Sequence, residues 1–555
     1  MEDSSAPKQR LNECLSQIRQ IHKICQTPSI TYGVIHHGRV IFKQSVGHRD
    51  ARQTLRPDHN SMYMIGSCSK MFTSAAVGIL VEEGKLNWAD PIRKYIPEFN
   101  PEGNPLIGKE ADIIDCLRHS TGITAPNLLA LGPGDTIIMD EENLVPLLNI
   151  MPTSDEKGQK FNREWEYSNF TYGLLSLVIQ RVTGQRFADF VRERILSPLG
   201  MNRTAIKRSE VENDTNIAAP CTRLSDGCFV PTLDHSWPCE NYSPLLAATG
   251  MRSTLNDMLT WCIAVLDAER AEIDPGYQMR MPNNPLKQMT RVRRAYWTRP
   301  SDDPEFSKET AYCMGWFRMR LPSSMFGEFS GNGLSRHKEH KVHLQHIIGK
   351  DAETFQMIGH TGGMRGSIFS VFTFPETQSA VVTMTNGRDF GDASDFTAQI
   401  LTQALFDMKP HMDLTSWAKK EKELAAGFHR ETIERPWEEN RRLDDPKRDP
   451  KLYIGDYVGF NECFTFSIVA QSICKLYVIF NHRKASKCPL VFYKTNVYSY
   501  LQLGEDNSKM QQIIAMDYKQ TLLEFQVNET LERAEGLWWK WDKEAKPAWL
   551  GRIDA

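Results

Sequence analysis

Two runs of β-branched and alternating character meet at His37-Gly38 in YGVIHHGRVIFKQSVG, residues 32–47, and predict a hairpin that follows a first helix over residues 10–27. The apolar run MFTSAAVGILVEEG, residues 71–84, predicts a helix from about 67 to 83, with Phe72, Ala75, Ala76, Ile79 and Leu80 forming a broad apolar face. FTYGLLSLVIQRVTG, residues 170–184, reads as another helix, and further helices run to about residue 200. Residues 201–245 and 265–345 are long, polar and rich in turn formers. They predict insertions framing a cleft, with Trp237, Tyr242, Tyr296, Trp297, Trp316 and Phe317 as candidate lining. SIFSVFTF and SAVVTMTN then predict two strands that close a sheet, and DFTAQILTQALFDM a helix returning across it.

From Lys419 to Asp449 the pattern breaks. The segment ERPWEENRRLDDPKRDP offers little to bury and marks a boundary near residue 445. Beyond it LYIGDYVGF, FTFSIVA, KLYVIF, PLVFYKTNVYSYLQL, QIIAMDY and TLLEFQV predict six or more short strands, hence a small barrel or sandwich, with Trp538, Trp539 and Trp541 plugging one end or meeting the rest of the chain. The expected division is a mixed α/β (α+β) catalytic domain at 10–420, a charged linker at 421–449 and a β-barrel or sandwich domain at 450–555.

The chain has 555 residues, 41% hydrophobic and 24% charged, which suits a large folded protein of two units. A net charge of −3 without a basic block gives no reason to expect nucleic-acid binding. The opening MEDSSAPKQRLNECLSQIRQ lacks a hydrophobic signal core, and no run reaches 18 uninterrupted apolar residues. The expectation is a cytoplasmic protein without membrane insertion. Twelve cysteines are scattered too thinly for a disulfide scaffold. Cys221, Cys228, His235 and Cys239 contain no C-x-x-C pair, so a loop explains them better than a metal site. His337, His340, His343 and His346 likewise read as a polar edge strand or loop, and no cofactor is expected.

The chemistry starts at Ser67-Cys68-Ser69-Lys70, where a helix would put Ser67 and Lys70 on one face. A serine hydroxyl needs a neighbour that takes its proton as it attacks a carbonyl carbon. Lysine does so only when burial brings its pKa down from about 10.4. Cys68 would point away as a buried spacer. Two further motifs follow in order: Tyr167-Ser168-Asn169 ahead of a helix, and His360-Thr361-Gly362-Gly363 ahead of a strand. Tyr167 is a candidate proton shuttle or phenolate, its pKa lowered by Lys70. Asn169 is a candidate to hold the Lys70 amine and donate to a substrate carbonyl, or to cap the following helix. Gly362 and Gly363 permit close approach to a strand edge.

S-x-x-K, Y-x-N and H-x-G in this order resemble the serine β-lactamase and penicillin-binding-protein-like superfamily, especially its branch of class C β-lactamases, D-aminopeptidases, esterases and fungal acyltransferases. VEEGKLNWADPIRKYIP, DIIDCLRHSTGI, ERILSPLGMNRT and AATGMRSTLNDMLTW resemble further family segments, so the likeness spans about residues 10–410. The resemblance implies an antiparallel sheet flanked by helices beside an all-helical region, with a lipocalin-like barrel appended. It also implies that Ser67 and Gly363 supply oxyanion amides and that His360 contacts substrate or assists Tyr167. A histidine in place of lysine in the third motif removes the fixed cation suited to a β-lactam carboxylate. The expected activity is hydrolysis of a small-molecule ester, amide or thioester through a Ser67 acyl-enzyme. The alternative is an acyltransferase or product-releasing enzyme of secondary metabolism, a carrier-bound thioester being one donor it would accept; β-lactam hydrolysis and non-catalytic binding rank lower. The oligomeric state is not legible.

Overall fold

The computed structural model describes the chain apart from residues 1–4, 233–242, 300–309, 325, 328–329, 331, 333–346, 388–389, 473–474, 506–516 and 554–555. Trp237, Tyr242, His235, Cys239 and the four histidines from His337 to His346 therefore lie outside the described residues.

The N-terminal helix is two, α1 (Ser5–Glu13) and α2 (Leu15–Cys25). The hairpin follows as β1 (Ser29–His36) and β2 (Arg39–Gly47), turning through His37 and Gly38 at φ 50° and 68°, the left-handed pair a two-residue turn requires. Six later strands complete an antiparallel sheet: β3 (Trp297–Thr298), β4 (Ala311–Tyr312), β5 (Phe317–Leu321), β6 (Phe355–Met364), β7 (Ser367–Phe374) and β8 (Ser379–Thr385). Their order is β2-β1-β8-β7-β6-β5-β4-β3. Every residue of β7 and β8 is buried, because both faces of the sheet are covered. On one face Val381 and Phe372 join a core with α2 and the helix α6 (Ala393–Phe406). On the other, Val382 and Val371 join a core with α3 (Ser69–Glu82), α4 (Asn169–Thr183) and α5 (Leu255–Ile273).

Helix α3 is buried all round from Ser69 to Leu80 rather than on one face, so it runs through the centre of the helical region. Its last turns carry the acidic Glu82 and Glu83 out to the surface, where Glu83 meets Arg194 and Lys85.

A second antiparallel sheet comprises β9 (Gly455–Gly459), β10 (Phe464–Ser472), β11 (Lys475–Phe480), β12 (Cys488–Pro489), β13 (Val491–Lys494), β14 (Val497–Ser499), β15 (Leu522–Asn528), β16 (Arg533–Trp539) and β17 (Ala548–Ile553). Its order, β12-β11-β10-β9-β17-β16-β15-β14-β13, leaves as its two edges strands separated only by Leu490, so the sheet curls into a nearly closed barrel. Trp539 fills its core, stacked on Phe464 with ring centres 4.9 Å apart, while Trp541 is buried edge-on to Phe460 and Trp538 lies outside against Trp549. Most of QIIAMDY falls outside the described residues.

The charged stretch before the barrel is helical: α7 (Thr415–His429) continues through a wider turn into Arg435–Asn440. Ile433 and Trp437, one turn apart, are its buried anchors, and Trp437 Nε1 donates to Ser499 Oγ at 3.0 Å in the barrel. Among the described residues no helix is long and apolar enough to cross a membrane.

Candidate active site

Ser67 lies in the tight turn Gly66–Cys68 that leads directly into α3. Gly66 takes φ +48°, a left-handed conformation that costs glycine little. Ser69 stabilises the turn, its Oγ donating to Gly66 O at 2.7 Å and accepting from Met251 N at 3.1 Å. Cys68 is fully buried, as a spacer should be, with its thiol 3.5 Å from the His360 carbonyl.

Lys70, on the first turn of α3, has no exposed surface. Its Nζ lies 2.6 Å from Asn169 Oδ1, 3.2 Å from Ala248 O and 3.4 Å from Ser67 Oγ. No carboxylate stands among these partners, and burial holds the amine well below the ordinary lysine range. A neutral amine has two protons and one lone pair. In that form the two carbonyl-type oxygens, Asn169 Oδ1 and Ala248 O, take the protons and leave the lone pair for the Ser67 hydroxyl.

Tyr167 precedes α4 with its phenol beside the Ser67 side chain and the Lys70 amine 4.6 Å from its ring centre. Burial pushes that phenol up from its ordinary value despite the opposing influence of the neighbouring Ser67 hydroxyl. A raised phenol pKa runs against the expectation of a phenolate and leaves the proton-shuttle role for Tyr167. Ser168, not Asn169, caps α4, its Oγ accepting from Thr171 N at 3.3 Å. Asn169 is left to hold Lys70, and its Nδ2 donates to Asn127 Oδ1 at 3.0 Å.

Strand β6 carries His360, Gly362 and Gly363, and it crosses directly over the Ser67 turn. A Cβ on Gly362 would stand 1.9 Å from Ile65 O and 3.1 Å from Ser67 N, and one on Gly66 would stand 3.0 Å from Gly363 N. Only glycine allows this approach. Strand β5 pairs with β6 no farther than Gly359, so among the described residues the His360–Met364 edge has no strand on that side. The Ser67 and Gly363 amides thus flank an open strand edge.

His360 is buried, packed on Phe317 with ring centres 4.7 Å apart. Its Nδ1 lies 2.5 Å from Thr361 O and its Nε2 3.3 Å from Tyr312 Oη. Tyr312 Oη in turn lies 3.2 Å from Nε2 of His119, whose Nδ1 accepts from Ser168 N at 3.1 Å. The end groups fix the direction of this chain: Ser168 N–H to His119 Nδ1, His119 Nε2–H to Tyr312, Tyr312 O–H to His360 Nε2, and His360 Nδ1–H to Thr361 O. Both imidazoles are then neutral. Burial is the main cause that lowers both pKa values, that of His360 to about 3. The chain ties the tyrosine motif to the glycine motif behind the cleft.

Of the expected lining residues, Phe317 packs on His360, Trp316 is buried core stacked under Arg293, and Tyr296 and Trp297 are half-buried. Sequence reasoning missed Asn127, His119 and Tyr312. His119 lies within the DIIDCLRHSTGI segment; the other two carry no spacing signal.

Comparisons with known proteins bear on the family and the fold. The family model described as Beta-lactamase matches residues 16–404. "Protein flp" of Staphylococcus aureus (strain MW2) is 27% identical over 186 residues, 34% of this chain and 36% of that protein, so the match spans about a third of the relative's length. "Unguisins hydrolase ungD" of Aspergillus violaceofuscus (strain CBS 115571) is 23% identical over 458 residues, 80% of this chain and 73% of the relative. The solved octameric penicillin-binding protein homologue from Pyrococcus abyssi shares the fold, with a TM-score of 0.54 at 18% identity over 97% of this chain and 99% of that one. A mixed α/β architecture, a family model across most of the chain and a full-length structural neighbour lead to one assignment: this chain belongs to the Beta-lactamase family, within the serine β-lactamase and penicillin-binding-protein-like superfamily.

Proposed function

We propose that the protein is a serine hydrolase that cleaves an ester, amide or thioester of a small molecule through an acyl-enzyme on Ser67. The observation that carries this reading is the buried Lys70 amine, 3.4 Å from Ser67 Oγ and held by Asn169 Oδ1 and Ala248 O at 2.6 and 3.2 Å. In the first half-reaction Ser67 Oγ bonds to the substrate carbonyl carbon and its proton passes to Lys70. The carbonyl oxygen takes the charge under the Ser67 and Gly363 amides, where one donor contributes about 3 kcal/mol. As the bond to the leaving group breaks, Tyr167 gives that group its proton and regains one from Lys70. Water then attacks the ester, its proton follows the same route, and Ser67 Oγ leaves with a proton.

Two points favour hydrolysis by this route. A relative aligned over 80% of the chain carries the name of a hydrolase, and neutral His360 offers no fixed cation for the carboxylate of a β-lactam. His360, with both ring nitrogens engaged inside the protein, acts by positioning. The same reading takes residues 10–420 as the catalytic unit and residues 450–555 as an appended barrel.

The test is incubation with p-nitrophenyl esters, D-amino-acid amides, nitrocefin and acyl thioesters, with and without alcohol acceptors, followed by mass analysis of the Ser67 peptide. Product released by water with an adduct on Ser67 supports hydrolysis. Product formed only with an alcohol acceptor identifies acyl transfer instead, and labelling of the Ser67→Ala variant elsewhere would reject the nucleophile.

A further inference from the structure

We propose that the C-terminal barrel is a working part of the active site: the tip of its β11–β12 hairpin holds the loop that positions Asn169, the residue that clamps Lys70. This rests on the functional reading above and assigns the barrel a role within it. At the tip, Asn481 adopts φ 43°, a left-handed value that asparagine tolerates better than most residues. Its carboxamide faces both ways. Oδ1 accepts from Thr465 N of the barrel at 2.6 Å, and Nδ2 donates to Ile138 O of the catalytic unit at 2.7 Å. Ser486 packs beside it: a Cβ on Gly132 would come within 3.3 Å of the Ser486 Cβ. Arg483 pairs with Asp140 at the rim, a half-exposed ion pair that contributes little by itself.

The loop so held leads straight to the nucleophile. Ile138 N donates to Ala130 O at 2.9 Å, and Ala130 N and Leu131 N donate to Asn127 O at 2.9 and 2.8 Å. The Asn127 carboxamide then accepts from Asn169, whose Oδ1 takes a Lys70 proton. The loop has only short helical turns, so the barrel contact and these bonds fix where Asn127 stands. If Asn127 drifts, Asn169 is released, and the Lys70 lone pair no longer aims at Ser67. Asn481 and Asn127 are positioning residues in this scheme.

The experiment uses the full chain and p-nitrophenyl acetate, reading the burst of p-nitrophenol, the Ser67 adduct mass and the pH profile of acylation. The variants are Asn481→Ala, Asn127→Ala, the double, and Asn481→Asp, which keeps the acceptor for Thr465 N but loses the donor to Ile138. Each single variant should slow acylation by about five- to tenfold. The double should be no slower than the slower single, because both act through one route. In all of them the acid limb should move to lower pH, since the Lys70 ammonium loses an acceptor. An Asn481→Asp enzyme that acylates at the wild-type rate with an unmoved limb would overturn the inference, as would single effects that multiply in the double. A wild-type protein that forms no Ser67 adduct would instead overturn the functional reading, and this inference with it.

Discussion

Gly362→Ala tests the geometry above at its tightest point. The added Cβ would stand 1.9 Å from Ile65 O, whereas Cβ atoms essentially never approach heavy atoms closer than 3.0 Å. The obstacle is backbone on both sides, because Ile65 precedes the Gly66–Cys68 turn and Gly362 is paired with Phe369 in the sheet. Strand and turn must therefore separate by about 1 Å, a misplacement that costs on the order of a hundredfold when it falls on reacting groups. The separation opens the space between the Ser67 and Gly363 amides, and loss of one oxyanion donor costs about 3 kcal/mol, again on the order of a hundredfold or more. We expect Ser67 acylation by a p-nitrophenyl ester, followed by stopped flow and adduct mass, to slow by about a hundredfold. Far-UV circular dichroism should be unchanged, since β6 keeps its pairing with β7. Acylation within threefold of wild type would refute the claim that this crossing builds the oxyanion site.

Further outcomes follow from the buried polar groups. Tyr312→Phe removes the donor to His360 and the acceptor for His119; with two buried nitrogens left unsatisfied, denaturant unfolding should show a loss of about 3 kcal/mol. Lys70→Met should fold normally yet acylate about a thousandfold more slowly, the size expected for a missing general base. Stability should fall on acidification, because the unfolded His360 binds a proton near pH 6.5 while the folded one resists until about 3. By pH 5 this one residue should have cost about 2 kcal/mol, and His360→Gln should flatten the slope of stability against pH by about one proton.

The parts of the site that are neighbours in the chain were legible in the sequence. Ser67 with Lys70, Tyr167 with Asn169, and His360 with Gly362 each form a short motif, because one turn or one strand presents them together. Asn127 and Tyr312 come singly from a loop and a two-residue strand, and only the tertiary fold brings them to Asn169 and His360. The protonation states were half legible. Burial of Lys70 could be expected from the apolar helix around it, but the raised Tyr167 phenol follows from burial of Tyr167 itself, which depends on the elements that pack over it in the tertiary fold.

Secondary structure shows the same division. The hairpin at His37-Gly38 and strands β7 and β8 follow from pattern alone. Strand β6 contains His-Thr-Gly-Gly, a run with low strand preference, and forms because β7 pairs with it residue by residue from Ile358 to Met364. The charged stretch around residue 435 folds as helix on the strength of Ile433 and Trp437, two apolar side chains among many charges that find a buried surface on the barrel.

The most direct measurement of the central claim is the rate of Ser67 acylation from pH 5 to pH 10. A buried Lys70 whose amine titrates well below the ordinary lysine range predicts an acylation rate that levels off before pH 10, and loss of that pH dependence together with the activity in Lys70→Met. A rate that climbs steadily toward pH 10, as an ordinary solvated lysine would dictate, contradicts it.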